Sequence, residues 1–152
     1  ALSSSWLAKI ADAALSALAL PDTATIEVVV TDDETVRELN RRHRGLDETT
    51  DVLSFATGQE REGGFVLPPC AEETASIGEI VISGPQSARQ AARNGRKTAD
   101  EVAFLMVHGI LHLMGHDHED PDERSDMEAE HRRLLVAMLG ASASSIKVEY
   151  PA

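Results

Sequence analysis

His108-Gly109-Ile110-Leu111-His112-Leu113-Met114-Gly115-His116-Asp117-His118 is the stretch on which the reading of this chain turns, and it holds four of the six histidines. His108 and His112 are four residues apart, so on a helix their imidazoles share one face, one turn above the other. The run 102–114 is apolar nearly all round, which puts its helix in the middle of the protein. Gly115 can end that helix in a left-handed cap, after which the chain turns back and delivers His118. Three imidazoles and no evident fourth protein ligand predict a catalytic site for one Zn2+ per chain, or another divalent transition metal, with a position open to water. A closed, structural site follows instead if His116 or Asp117 fills the fourth position. A lone histidine is ordinarily a plain core or surface residue. Burying several imidazoles without partners, however, costs ~1–3 kcal/mol each, which coordination removes. His116 is expected outside the ligand set, and Asp117 is expected to orient a ligand imidazole.

Around this centre the pattern alternates between helix and strand. Apolar spacing predicts a first helix over 2–18, with serines before it as caps and Pro21-Asp22 after it. The β-branched run 25–30 predicts a strand. Thr31-Asp32-Asp33-Glu34 reads as a capping box opening a helix to about His43, broken at Arg44-Gly45. Strands follow at 51–55 and 77–82, separated by a Gly- and Pro-rich loop over 58–76. Ser83 and Pro85 open a helix that stops at Gly95. Thr98-Ala99-Asp100-Glu101 reads as a second capping box, for the histidine helix. Asp120-Pro121 starts a last helix burying Met127, His131, Leu134, Leu135 and Met138, and Gly140 closes it before an ambiguous tail. The sum is an α+β fold, a small mixed sheet packed with about five helices around a central metal-binding helix, expected as a single domain over 1–152.

Composition narrows the function less than the motif does. The formal charge of −12 should repel nucleic acid on average. The basic residues are clustered, though, at Arg37, Arg41, Arg42 and Arg44 and again at Arg89, Arg93, Arg96 and Lys97, so an anionic substrate is not excluded. Cys70 is the only cysteine, which rules out an intrachain disulfide and favours a reducing compartment. No apolar run reaches the ~18 residues of a membrane span, and the first twenty residues lack the basic start of a secretory leader. Few aromatics are present, and several look like core, so a base-stacking platform of the strong single-strand binders is not expected.

The spacing His-x3-His-x2-Gly-x2-His coincides with the metzincin protease pattern H-E-x-x-H-x-x-G-x-x-H, but Gly109 stands where that pattern has its general-base glutamate. Peptide hydrolysis is therefore disfavoured. His108-Gly109-Ile110-Leu111-His112-Leu113 with Gly115-His116-Asp117-His118 instead resembles the H-G-x-L-H-L-x-G-x-D-H signature of the YbeY endoribonucleases. Arg44-Gly45 followed by Thr50-Asp51-Val52-Leu53-Ser54-Phe55 resembles that family's R-G-x-x-x-x-T-[DN]-V-L-S-F. Ile77-Gly78-Glu79-Ile80-Val81-Ile82-Ser83 resembles its G-[DE]-I-x-I-S strand, and the run from Met127-Glu128 resembles its last helix. The likeness extends over about 26–139. Family members usually begin with a strand before the first helix, so the sheet is expected to be a strand short or the chain truncated.

The resemblance implies a metalloprotease-like fold and a zinc-dependent endoribonuclease favouring single strands, acting in 16S rRNA 3′-end maturation and ribosome quality control in the cytoplasm. It implies His108, His112 and His118 as zinc ligands and Arg44 as the functional arginine, with single-stranded rRNA, the ribosome or small subunit and associated proteins as partners. Arg44 suits the grip on a phosphodiester through its planar guanidinium, and Arg42, Arg89 and Arg93 are candidates for tracking an RNA backbone. Two other classes stay open: a metal-dependent hydrolase on a non-RNA substrate, such as a degenerate protease, and a non-catalytic ribosome-associated module with structural zinc.

Overall fold

The computed structural model describes residues 2–21, 23–56 and 75–148. Of the loop expected over 58–76, residues 58–74, with Cys70 and Phe65, lie outside them, as does the end of the tail, while Ala75 and Ser76 belong to a strand rather than to the loop. The chain runs α1 (Ser4–Ala17), β1 (Ala24–Thr31), α2 (Asp33–Arg44), β2 (Val52–Ala56), β3 (Ala75–Ser83), α3 (Gly84–Asn94), α4 (Thr98–Leu113) and α5 (Pro121–Leu139), then a short 3-10 helix, Gly140–Ser145. Among the described residues the sheet has the order β1-β3-β2, with β1 parallel and β2 antiparallel to the central β3. It is mixed, as expected.

Alternation along β3 splits the core in two. Ile80 and Ile82 face α1, α4 and α5, whereas Val81 joins Leu53 of β2 and Val36 of α2 on the opposite face. Both sets are almost wholly buried, and a fully buried isoleucine stabilises by ~1.5–3 kcal/mol. The histidine helix α4 is indeed central: it packs on β2, β3, α3 and α5, and Val102, Met106, Val107, Ile110 and Leu111 are completely buried.

Helix starts follow the expected chemistry with two corrections. For α2 the cap is Asp32 rather than Thr31, its carboxylate accepting from the Thr35 amide at 2.7 Å. For α4 there is no capping box: Lys97 holds the cap position without a side-chain bond, and Thr98 is already helical. Glu101 turns inward, where Arg96 and Gln90 each donate to its carboxylate at 3.1 Å. A carboxylate only 3% exposed must be paired in this way. Arg96 also donates to the Lys147 carbonyl at 2.9 Å and lies over the Phe104 ring. The tail is correspondingly more ordered than expected, with Ala143, Ile146 and Val148 packed into the core.

His131 of α5 is fully buried, its ring centroid 4.2 Å from that of Phe104. Burial pushes its pKa down to about 3. The unfolded chain therefore takes up a proton near its ordinary pKa of 6.5 that the folded chain refuses, so stability falls as pH drops below that value and keeps falling toward about 3. One such group contributes up to ~1.4 kcal/mol per pH unit. In chelator, urea midpoints should decline between about pH 6.5 and about pH 5, and His131→Leu should flatten the decline by about one proton. An unchanged slope in that variant would refute the assignment.

Candidate metal centre and cleft

The last turns of α4 supply two ligands and the turn after it a third. His108 and His112 project from one side of the helix, with their Nε2 atoms 3.0 Å apart. The helix ends at Met114, and Gly115 takes φ +90°. The Gly115 amide donates to His112 O and the His116 amide to Leu111 O, the paired bonds of a left-handed helix stop. That turn carries the chain back so that His118 joins the pair, and one nitrogen from each ring lies within 4.8 Å of the others. His118 is held in place from two sides. Its amide donates to Asp117 Oδ1 at 2.7 Å, and Arg124 of α5 donates to its carbonyl at 3.3 Å. His116 is outside the cluster, as expected. Asp117, expected to orient a ligand imidazole, accepts this backbone bond through Oδ1 and places its negative charge where it acts on His112.

The donor set fits a metal. Nitrogens at ~2.0–2.1 Å from a tetrahedral zinc stand about 3.3 Å apart, and the ring nitrogens here, 3.0 Å apart for His108 and His112 and all within 4.8 Å, lie around that span. Burial, with repulsion from His112 and His118, pushes His108 down to about 4, and burial also lowers His112. Both rings are then neutral at neutral pH, with lone pairs available for coordination.

The cluster opens on a cleft of about 870 Å³. It is lined by the end of α2 with Arg42, His43 and Arg44, by residues 50–56 with Glu79, and by the three histidines. Gly45, at φ +71°, ends α2 there, and Asn40 donates to the Glu48 carbonyl at 2.9 Å, fixing the loop that follows. Asp51 fixes the start of β2: it accepts from the Val52 amide at 2.8 Å and from Gln90 at 3.3 Å. Arg42 is tied to Glu38 at 2.8 Å, and together with Arg41 it holds that carboxyl down to about 2. Arg44 is exposed, and among the described residues no ion pair engages it. Arg89 and Arg93 do not line the cleft. Arg89 instead bonds Asp33 at 2.9 Å, joining α3 to the start of α2. The cleft residues that sequence reasoning missed are His43, Ser54, Phe55 and Glu79. A cue was available for His43, which adjoins Arg44 in the same last helical turn.

Gly109 has its own explanation. A Cβ there would lie 2.9 Å from Ser54 Oγ and 3.0 Å from Ile80 Cδ1, and Ser54 donates to the Gly109 carbonyl at 3.3 Å. The position faces the sheet, so the protease glutamate has no room.

A buried helix carrying two histidines, a third returned by a tight turn, and an open cleft beside them define a metalloenzyme-type centre. A sequence model of the Endoribonuclease YbeY family matches residues 2–139. Proteins named Endoribonuclease YbeY are similar: that of Moorella thermoacetica is 40% identical over 136 residues, covering 88% of this chain and 85% of that protein. That of Halorhodospira halophila is 44% identical over 115 residues, 74% of this chain and 70% of that protein. A Thermotoga maritima protein solved in solution shares the fold, with a TM-score of 0.62 at 22% identity over 95% of this chain and 89% of that one. The chain belongs to the Endoribonuclease YbeY family.

Crowding at Gly109 makes a measurable forecast. Overpacking costs ~1–3 kcal/mol, offset by the ~1 kcal/mol by which alanine outranks glycine in helices. Gly109→Ala should lower urea stability by about 1 kcal/mol. Gly109→Glu should lower it further while conferring no peptide cleavage; a stable Gly109→Glu protein with peptidase activity would contradict the steric reading.

Proposed function

We propose that this chain, as one domain, is a zinc-dependent endoribonuclease that cuts single-stranded RNA, and that it works in the cytoplasm on the small ribosomal subunit in 16S rRNA 3′-end maturation and ribosome quality control. The carrying observation is the convergence of His108, His112 and His118 on the cleft that Arg44 borders. Family membership supports the RNA substrate. Among the described residues no helix is long and apolar enough to cross a membrane.

His108, His112 and His118 would hold the ion. When bound, it supplies Lewis acidity at a phosphoryl oxygen and lowers the pKa of water toward ~7. The protein's own share is positional and electrostatic. Two ligands sit on a rigid buried helix, so the ion's place relative to the cleft is set by the core. Arg44 offers five donors in a plane and binds phosphate oxygens bidentately, stabilising the charge that builds on them as the P–O bond breaks. Arg42, shared with Glu38, assists more weakly. Arg89 and Arg93 lie outside this path and serve, on this reading, as outlying contacts to the RNA backbone. Asp117 acts by fixing the His118 turn. Among the described residues three histidines would hold the ion beside an open cleft, which favours catalysis over a structural role.

The test compares wild type, His112→Ala and Arg44→Glu on single-stranded RNA, with peptides alongside. His112→Ala should lose the bound zinc and cleave at least ~100-fold more slowly. Arg44→Glu should retain zinc and lose about 100- to 1,000-fold in kcat, the scale for removing a charge-stabilising donor. RNA cleavage that survives loss of His112, or peptide cleavage without RNA cleavage, would overturn the proposal.

A further inference from the structure

The cleft lining carries a feature that the metal chemistry does not use. His43, exposed in the last turn of α2, rests on Phe55 of β2 with ring centroids 4.9 Å apart and planes inclined at 59°. Phe55 is half-buried against Leu39 and the second core cluster, so it is a fixed base for the imidazole above it. His43 takes no part in the ligand cluster. It lies between Arg42 and Arg44 in the chain, and all three line the cleft.

We infer that His43, backed by Phe55, is a stacking step for one nucleobase next to the scissile phosphate. The inference rests on the endoribonuclease reading above. The chemistry is specific to unpaired RNA. A base inside a duplex already has both faces covered, whereas a single strand can splay a base onto an aromatic or imidazole ring. Every base has a π-face, so such a step selects for an unstacked nucleotide and tolerates any sequence. The adjoining arginine supplies the second half of the contact: Arg44 holds the phosphate while the ring one residue away holds the base attached to it. Phosphate contacts alone fix register without distinguishing single from double strands. The ring therefore gives this cleft its preference for single strands.

The experiment uses the zinc-loaded full chain and short single-stranded RNA oligonucleotides, intact or with one abasic position moved stepwise past the cleavage site. Against intact RNA, His43→Ala should raise KM about tenfold with zinc content unchanged, and His43→Phe should restore KM to near the wild-type value. For wild type, one abasic position should raise KM by a similar factor, and at that position His43→Ala should add nothing further. A His43→Ala enzyme that cuts intact RNA with wild-type KM overturns the stacking step and leaves the nuclease reading standing. His43→Phe failing as badly as His43→Ala also overturns it, because the site then needs an imidazole rather than a ring. If wild type cuts no RNA at all, both readings fall.

Discussion

The architecture depends on how closely α4 approaches the sheet at Gly109. With no side chain there, the helix backbone comes near enough for Ser54 to bond the Gly109 carbonyl while Ile80 packs beneath it. That contact fixes the rotation of the helix about its own axis. Once the 109 face is against β2 and β3, the side chains at 108 and 112 are aimed past the edge of β2 into the cleft. Packing and chemistry are thus two consequences of one close approach. A carboxylate at 109 is crowded by the same contact that orients the ligands, and the acidic side chains that do line the cleft are Asp51, just before β2, and Glu79, from β3.

The end of α2 is held by a left-handed glycine, by the Asn40 bond and the Arg37–Asp47 pair to the following loop, and by a small apolar cluster. Its charges are solvated and shared among neighbours, with Glu38 taking up Arg41 and Arg42. Such exposed pairs stabilise a fold little, but here they tie Arg41 and Arg42 to Glu38, while among the described residues no ion pair engages Arg44. In a chain of formal charge −12, the affinity for an anion therefore resides in a few residues lining the cleft and should weaken steeply with salt.

Much of this could be read from residue spacing, since local geometry governs it. The four-residue interval of His108 and His112, the glycine stop at 115 and the acidic cap at Asp120 are short-range rules that tertiary packing left intact. Longer-range partners are what such spacing does not report. Thr98-x-x-Glu101 has the form of a capping box, yet Glu101 pairs with Arg96 and Gln90 because the buried helix start needs its charge satisfied more than its amide. Arg89, a candidate RNA contact by its charge, also pairs with Asp33 across 56 residues. His43 has no second histidine at metal-ligand spacing, and what marks it is a ring contact. Its neighbour Phe55 comes from a different element, a proximity no interval in the sequence reports.

The Gly115 turn has a mechanical consequence. It makes His118 the only ligand that does not ride on α4, and Arg124 and Asp120 moor that segment to α5. An ion held by all three rings would add a tie between α4 and the turn that leads into α5, beside the core contacts those two helices already share. Lifting that turn off α4 would mean breaking the tie. Because a ligand that binds only the folded form stabilises it by mass action, the supply of metal in the surroundings would also set how firmly the turn stays docked.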